Sequence, residues 1–191
     1  MRICILFGSP KPNGNTAEIC KPFMDELRIL GAEVEYIPLY EKNISPCKGC
    51  FHCQHIEAEF GCAQQDDMQA IVGSIMKADI LVFATPIYTW QATAPIKAVM
   101  DRMYALNKYY GSVPRSVLNK GQSYALITTC GYEPGYGAGL LEEGIRRWSK
   151  HSKIPYLGMY GVQDKGDPAA FRTEEVIAGA RDFARKLMTK G

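Results

Sequence analysis

The sequence has 191 residues, enough for one ordinary domain and short for two. At this size folding hides roughly 70% of the chain's surface, so no disulfide or metal staple is needed merely to fold. With 47% hydrophobic and 22% charged residues the composition is that of a globular protein, which excludes disorder, collagen and coiled coil. The net charge of +2 gives no electrostatic case for a nucleic-acid partner. The stretch 80–96 is uncharged but broken by Pro86, Pro95 and three threonines, which excludes a membrane span. Ile3 to Phe7 is too short for a signal-peptide core, so a cytoplasmic location is expected. Seven cysteines, an odd number with four of them clustered, then point to metal or redox chemistry rather than a secreted disulfide framework.

Strand and helix patterns alternate along the chain. Ile3-Cys4-Ile5-Leu6-Phe7 is a continuous apolar run, as in a strand buried on both faces. Thr16 to Leu30 reads as a helix with Ile19, Phe23, Leu27 and Leu30 on one side. Asn15 and Glu18 have capping-box spacing, Pro22 should kink the helix, and Gly31 ends it. Val34 to Leu39 is the second strand. About residues 40–65 no regular pattern is visible, and a loop of that length is usually functional. Asp66 to Ala78 is a helix and Ile80 to Ala84 the third strand. Pro95 opens a helix to about Leu106. Tyr124 to Thr128, a helix over Gly139–Ser152, Tyr156 to Val162 and a helix from Pro168 to Lys190 complete the series. Five β and five α patterns in alternation predict one α/β domain over 1–191, a doubly wound parallel sheet with an insertion at about 40–65.

Ligands of such sheets sit beyond the carboxyl ends of the strands, near the switch in strand order. The loop Gly8-Ser9-Pro10-Lys11-Pro12-Asn13-Gly14-Asn15-Thr16 leads from a buried strand into a helix start. Free N–H groups and the positive dipole end favour an anion there, with Ser9, Asn15 and Thr16 as donors and Lys11 as a charge. The spacing is neither a Walker loop nor Gly-x-Gly-x-x-Gly. Thr85-Pro86-Ile87-Tyr88-Thr89-Trp90-Gln91, after the third strand, makes a flat amphipathic wall suited to a planar ligand, or alternatively an aromatic subunit contact. Thr128 to Tyr132, after the fourth strand, is small enough for a ligand to approach the backbone. Cys130 in it reads as a buried small hydrophobe rather than a nucleophile, because no general base can be assigned to it. The three histidines suggest no triad, and His151 suits the C-terminal end of its helix.

Cys47-x2-Cys50-x2-Cys53-x8-Cys62 carries the strongest chemical signal. Spacings of two let three thiolates meet at one centre while the fourth returns across a small loop. Such a set suits a [4Fe–4S] cluster or a tetrahedral zinc, with His52 and His55 as substitute ligands, or remains as free or paired thiols. Cys4 and Cys20 read as inert core residues.

Gly8-Ser9-Pro10…Gly14-Asn15-Thr16, then Thr85-Pro86-Ile87-Tyr88, then Pro95-Ile96-Lys97…Asp101-Arg102 resembles the NADPH-dependent FMN reductase family of flavodoxin-like proteins, from residue 1 to about 135. The resemblance implies a five-stranded parallel sheet of order 2-1-3-4-5 with helices on both faces, and one bound FMN. Ser9, Lys11, Asn15 and Thr16 would hold its phosphate. Pro86, Ile87, Tyr88 and Trp90 would lie along the isoalloxazine ring, and Thr129, Cys130 and Gly131 would close its other edge. The cysteine run beside such a site is similar to that of the iron–sulfur flavoproteins, a branch in which Cys47, Cys50, Cys53 and Cys62 would hold a [4Fe–4S] cluster. The last gap, of eight residues, is longer than that branch's usual four to seven, and relatives keep similar runs without a cluster. The implied activity is NAD(P)H-dependent reduction of FMN, which passes electrons to a quinone, free flavin, cluster or protein. The alternative is an electron carrier reduced by ferredoxin, with no nicotinamide site. A third class is a metal-stabilised scaffold. Homodimers or homotetramers prevail in the family.

Overall fold

The computed structural model describes residues 1–57, 59–110, 116–117 and 121–189. Five parallel strands form the central sheet: β1 (Arg2–Phe7), β2 (Glu33–Pro38), β3 (Ile80–Pro86), β6 (Ser123–Cys130) and β7 (Tyr156–Gln163). Between β3 and β6 in the chain lies a separate antiparallel pair of two-residue strands, β4 (Asn107–Lys108) and β5 (Ser116–Val117). Spatial order in the large sheet is β2-β1-β3-β6-β7. The expected numbering 2-1-3-4-5 did not allow for β4 and β5. No alternation marks strands that short in the sequence.

Continuous apolar runs occur where both faces of a strand are covered. Ile3, Ile5, Phe7, Ile80, Val82, Ala84 and Ile127 share one core with α1 (Asn15–Ile29) and α6 (Glu174–Met188). Cys4, Leu6, Leu81, Phe83, Tyr124 and Leu126 point the other way. They pack on α2 (Met68–Lys77), α3 (Ala94–Arg102) and α5 (Gly139–Ser152). The period of two in the strands thus divides each apolar run between two helical layers. Burial raises the thiols of Cys4 and Cys20 to about 12, so both are inert core residues, as their sequence positions suggest.

Some boundaries differ from the sequence expectation for identifiable reasons. Gly14, not Asn15, occupies the N-cap of α1, and no capping box forms. Asn15 is the first helical residue and donates from Nδ2 to Asp164 Oδ2 at 2.8 Å. Pro22 lies inside α1 and deprives it of the N–H that the Glu18 carbonyl would accept, yet the helix continues to Ile29. Gly31, at φ +81°, takes the left-handed conformation that closes the helix. The last helix divides: Pro168–Arg172 is a 3-10 turn, and Thr173, whose hydroxyl accepts from the Val176 N–H, caps α6. The expected end at Lys190 lies outside the described residues. The glycine-rich segment before α5 forms a short helical turn, α4 (Pro134–Gly137), started by the Glu133 carboxylate accepting from the Tyr136 N–H.

Candidate functional site

The carboxyl ends of β1, β3 and β6 open into a cleft of about 610 Å³. Ten of the eleven residues expected at the cofactor line it: Ser9, Lys11, Asn15, Thr16, Pro86, Ile87, Tyr88, Thr129, Cys130 and Gly131. Trp90 does not. Its ring stacks on Tyr132 (centroids 5.8 Å, interplanar 15°) and meets Tyr136 edge-on (6.2 Å).

The first loop owes its shape to close packing. Thr93 Oγ1 donates to the Gly8 carbonyl at 2.6 Å. A Cβ on Gly8 would stand 2.3 Å from Ile96 Cγ1 and 2.6 Å from Thr93 Oγ1, so only glycine lets α3 approach β1 this closely. The buried Ser9 hydroxyl turns back on the loop, accepting from the Lys11 N–H at 3.2 Å. Thr16 Oγ1 and Thr129 Oγ1 are 2.8 Å apart and buried, tying the start of α1 to the end of β6. The first N–H groups of α1, which no helical carbonyl can reach, face this junction with the positive end of the helix dipole.

The sequence reading missed the wall contributed by the end of β7. Asp164, Gly166 and Pro168 also line the cleft. The Asp164 carboxylate holds Asn15 and accepts from the Gly166 N–H at 2.8 Å, while the Asp164 N–H donates to the Cys130 carbonyl. The run Asp164-Lys165-Gly166-Asp167-Pro168 is a turn signal at the same sheet edge, and that was the available clue. Cys130 is buried, donates to the Tyr132 carbonyl at 3.2 Å, and has its thiol pKa raised by burial, which suits the packing role expected of it. In the aromatic loop Thr89 and Trp90 have φ of 51° and 59°. Tyr88 and Gln91 exchange both backbone hydrogen bonds across them at 3.0 Å, a two-residue hairpin of the type that needs positive φ at both central positions.

A second cavity, of about 570 Å³, lies beside the cysteine loop. Cys47, Cys50, Cys53 and Cys62 all line it, together with Met100 and Arg102. All four thiols are free. The donor set is right for an iron–sulfur cluster or zinc. As placed, however, no three His, Cys, Asp or Glu side chains among the described residues group closely enough to hold a metal ion. His52 and His55 are exposed and absent from the cavity wall.

What organises this loop is polar and buried. Gln54, fully buried in a 3-10 turn (His52–His55), donates to the carbonyls of Tyr104 and Asn107 and accepts from the Tyr109 N–H at 2.7 Å. Lys108 is 0% exposed, and its ammonium donates to the Cys53 carbonyl at 2.8 Å and the Phe60 carbonyl at 3.3 Å. Burial lowers its pKa, with Cys53 and Glu59 opposing. Burial raises the Cys53 thiol, with Gln54 and Lys108 opposing. Arg102, at the end of α3, pairs with Asp66 at 2.5 Å, both side chains buried. None of these three polar residues was assigned a role from sequence, because a lone Gln or Lys in a loop, or an Arg in the last turn of a helix, reads as solvated. His151, exposed in the last turn of α5, stacks on Tyr109 at 5.1 Å.

No helix among the described residues is long and apolar enough to cross a membrane. A family model described as NADPH-dependent FMN reductase matches residues 1–138. An iron-sulfur flavoprotein of Archaeoglobus fulgidus is 30% identical over 148 residues, which are 78% of this chain and 64% of that relative. A second iron-sulfur flavoprotein, from Methanocaldococcus jannaschii, is 32% identical over 102 residues, 53% of this chain and 51% of the relative. The chain thus spans between half and two thirds of the length of these two relatives. Among solved structures, an NAD(P)H:quinone oxidoreductase from Methanothermobacter marburgensis superposes with a TM-score of 0.75 at 20% identity, covering 98% of this chain and 97% of that one. At that identity the likeness establishes the fold, and the sequence match establishes the lineage: the chain belongs to the NADPH-dependent FMN reductase family.

Proposed function

We propose that the chain is an FMN-dependent oxidoreductase, reduced by NAD(P)H. The observation that carries this reading is the convergence of the loops after β1, β3 and β6 on one cleft. The residues fit FMN in kind. The start of α1, with Thr16 and Lys11, suits a phosphate, and the apolar wall of Pro86, Ile87 and Tyr88 suits a planar ring. When bound, FMN accepts a hydride from a nicotinamide and releases electrons singly or in pairs. The chain's own part is to hold and shield. Thr93 and Gly8 fix the phosphate loop, Asp164 fixes Asn15, and Thr129 to Gly131 bring backbone to the cleft edge. No acid–base pair is required of the protein.

The four free thiols on one cavity wall support a second element of the proposal, a [4Fe–4S] cluster that takes electrons onward. Exposed Tyr88 on the cleft, and exposed Tyr132 and Tyr136 packed on Trp90 of the same loop, support a contact between copies in a dimer or tetramer. The acceptor belongs to the general class of quinones, flavins and electron-carrier proteins.

The test is to mix FMN-loaded, anaerobic protein with NADPH or NADH and follow the visible flavin band. Bleaching is expected. A flavin that stays oxidised with both nucleotides but is reduced by ferredoxin would replace the reductase with a pure electron carrier. Iron and acid-labile sulfide in the same preparation should approach about four each per chain, and Cys50→Ser should abolish both while FMN remains bound.

A further inference from the structure

Two buried cations stand beside the cysteine cavity: Arg102 pairs with the buried Asp66, and Lys108 feels the exposed Glu59 carboxylate. Arg102 and Lys108 are 1% and 0% exposed. Asp66, paired with Arg102, has a side chain 4% exposed. Lys108 makes no ion pair among the described residues; carbonyl oxygens of Cys53 and Phe60 receive its ammonium. A buried cation is costly unless something anionic lies close. A thiolate-ligated iron–sulfur cluster would add negative charge on the side of the cavity that these two cations face.

The two cations also tie down the stretch between the third and fourth cysteines. Lys108 bridges the Cys53 and Phe60 carbonyls, tying the third cysteine to a point two residues before the fourth. Arg102 then holds the fourth. One of its terminal nitrogens bonds Asp66 Oδ2 at 2.5 Å and the Ser45 carbonyl at 3.3 Å. The other donates to Cys62 Sγ at 3.4 Å and to the Gln64 carbonyl at 3.4 Å. Its Nε is buried without a hydrogen-bond partner among the described residues. A planar fork anchored on one side by a carboxylate presents the remaining N–H groups in a fixed direction, which lysine does not do.

We propose that Arg102 is a positioning residue for an iron–sulfur cluster at Cys62. It orients the fourth ligand and, through an N–H···S bond from a buried cation, raises the cluster's reduction potential. This rests on the reading that the four thiols hold a [4Fe–4S] cluster. The physical basis is general: reduction adds negative charge to the cluster, and hydrogen bonds to its sulfurs stabilise that charge. Asp66 is the counterweight that keeps the guanidinium in place while partly cancelling its field.

The experiment uses the full chain, expressed with iron and purified without air. Iron, sulfide and FMN are counted, and the cluster and flavin potentials are measured by spectroscopically monitored redox titration. In Arg102→Lys the cluster should remain but its reduction equilibrium should fall about ten-fold, which is about 59 mV for one electron, with the flavin potential unmoved. Asp66→Asn should shift the cluster potential the opposite way. Lys97→Met, a change at a half-exposed residue on the same cavity wall, should move it far less than Arg102→Lys. A fully loaded Arg102→Lys variant with the wild-type cluster potential would overturn the proposal, as would equal shifts in Arg102→Lys and Lys97→Met. Arg102→Met, where the cation is gone, should lose iron and sulfide or show a larger fall. If that variant does not fold, the comparison of Arg102→Lys with Lys97→Met decides. Wild-type protein without iron or sulfide would instead remove the cluster reading itself, and this proposal with it.

Discussion

The hydroxyls of Thr16 and Thr129 meet at 2.8 Å across 113 residues of sequence, both buried. One stands in the first turn of α1, the other near the end of β6. Their bond fixes where the free N–H groups of the helix start lie relative to the third binding loop. A hydrogen bond to a charged group contributes about 1.5–3 kcal/mol. Thr16→Ala should therefore weaken FMN about ten-fold or more, while Thr16→Ser, which keeps the hydroxyl, should stay near the wild type. Flavin fluorescence titration of the apoprotein reads this directly. If Thr16→Ala and Ser9→Ala both leave affinity unchanged, the phosphate site lies elsewhere.

Gly8 tests the same loop through packing. The clash a Cβ would make with Ile96 and Thr93 forces α3 away from β1 and loosens the Thr93 bond to the Gly8 carbonyl. Overpacking of this kind costs about 1–3 kcal/mol. Gly8→Ala should lower the melting temperature of the apoprotein by about 3–10 °C and lose FMN affinity as well. An unchanged melt with unchanged affinity would mean that the loop and α3 separate without consequence.

Much of this was legible in the sequence because the signals were local. The five large strands are apolar runs, the helices between them carry one-sided stripes, and the loops after strands one, three and four are visibly small, polar or aromatic. What escaped was decided by contacts remote in sequence. Asp164 reaches the cleft because β7 lies beside β6, and its partner is Asn15. Asn15 had looked like a cap, but its side chain is drawn to that carboxylate. Trp90 had looked like a ring-facing residue. Thr89 and Trp90 adopt positive φ, and this turn sends the indole onto Tyr132. Arg102 and Lys108 are buried only because the cysteine loop folds over them, which no periodicity announces.

The aromatic loop yields a prediction in which its two rings part company. Tyr88 lines the cleft, whereas Trp90 stacks one layer out. Tyr88→Ala should reduce the quenching of flavin emission, and Trp90→Ala should change it less. Thr89, β-branched at φ 51°, is in a conformation that disfavours such side chains. Thr89→Gly should be neutral or stabilising, by up to about 1 kcal/mol. Equal loss of quenching in the two aromatic variants would place the indole on the flavin after all.

The buried pair Arg102–Asp66 predicts an acid-sensitive loop. Burial alone would raise the Asp66 carboxyl, but Arg102 and the N–H groups of Ser45 and Met68 outweigh it and hold it below the usual carboxylate range. A depressed folded-state pKa contributes stability that is fully present above the unfolded value of about 3.9 and is lost as pH falls through the folded value. Apoprotein stability should therefore fall below about pH 4. Asp66→Asn should be less stable at neutral pH, by about 3–5 kcal/mol if the guanidinium is left without a counter-charge, and its acid dependence should be shallower. Denaturant melts of the two apoproteins from neutral pH to about pH 3 compare both quantities. Glu18, held low first by Lys21 and then by Arg172, titrates in the same direction in both proteins, so it cancels in the difference. Parallel pH profiles for wild type and Asp66→Asn would assign the acid dependence to such peripheral carboxylates and remove the buried pair from the account.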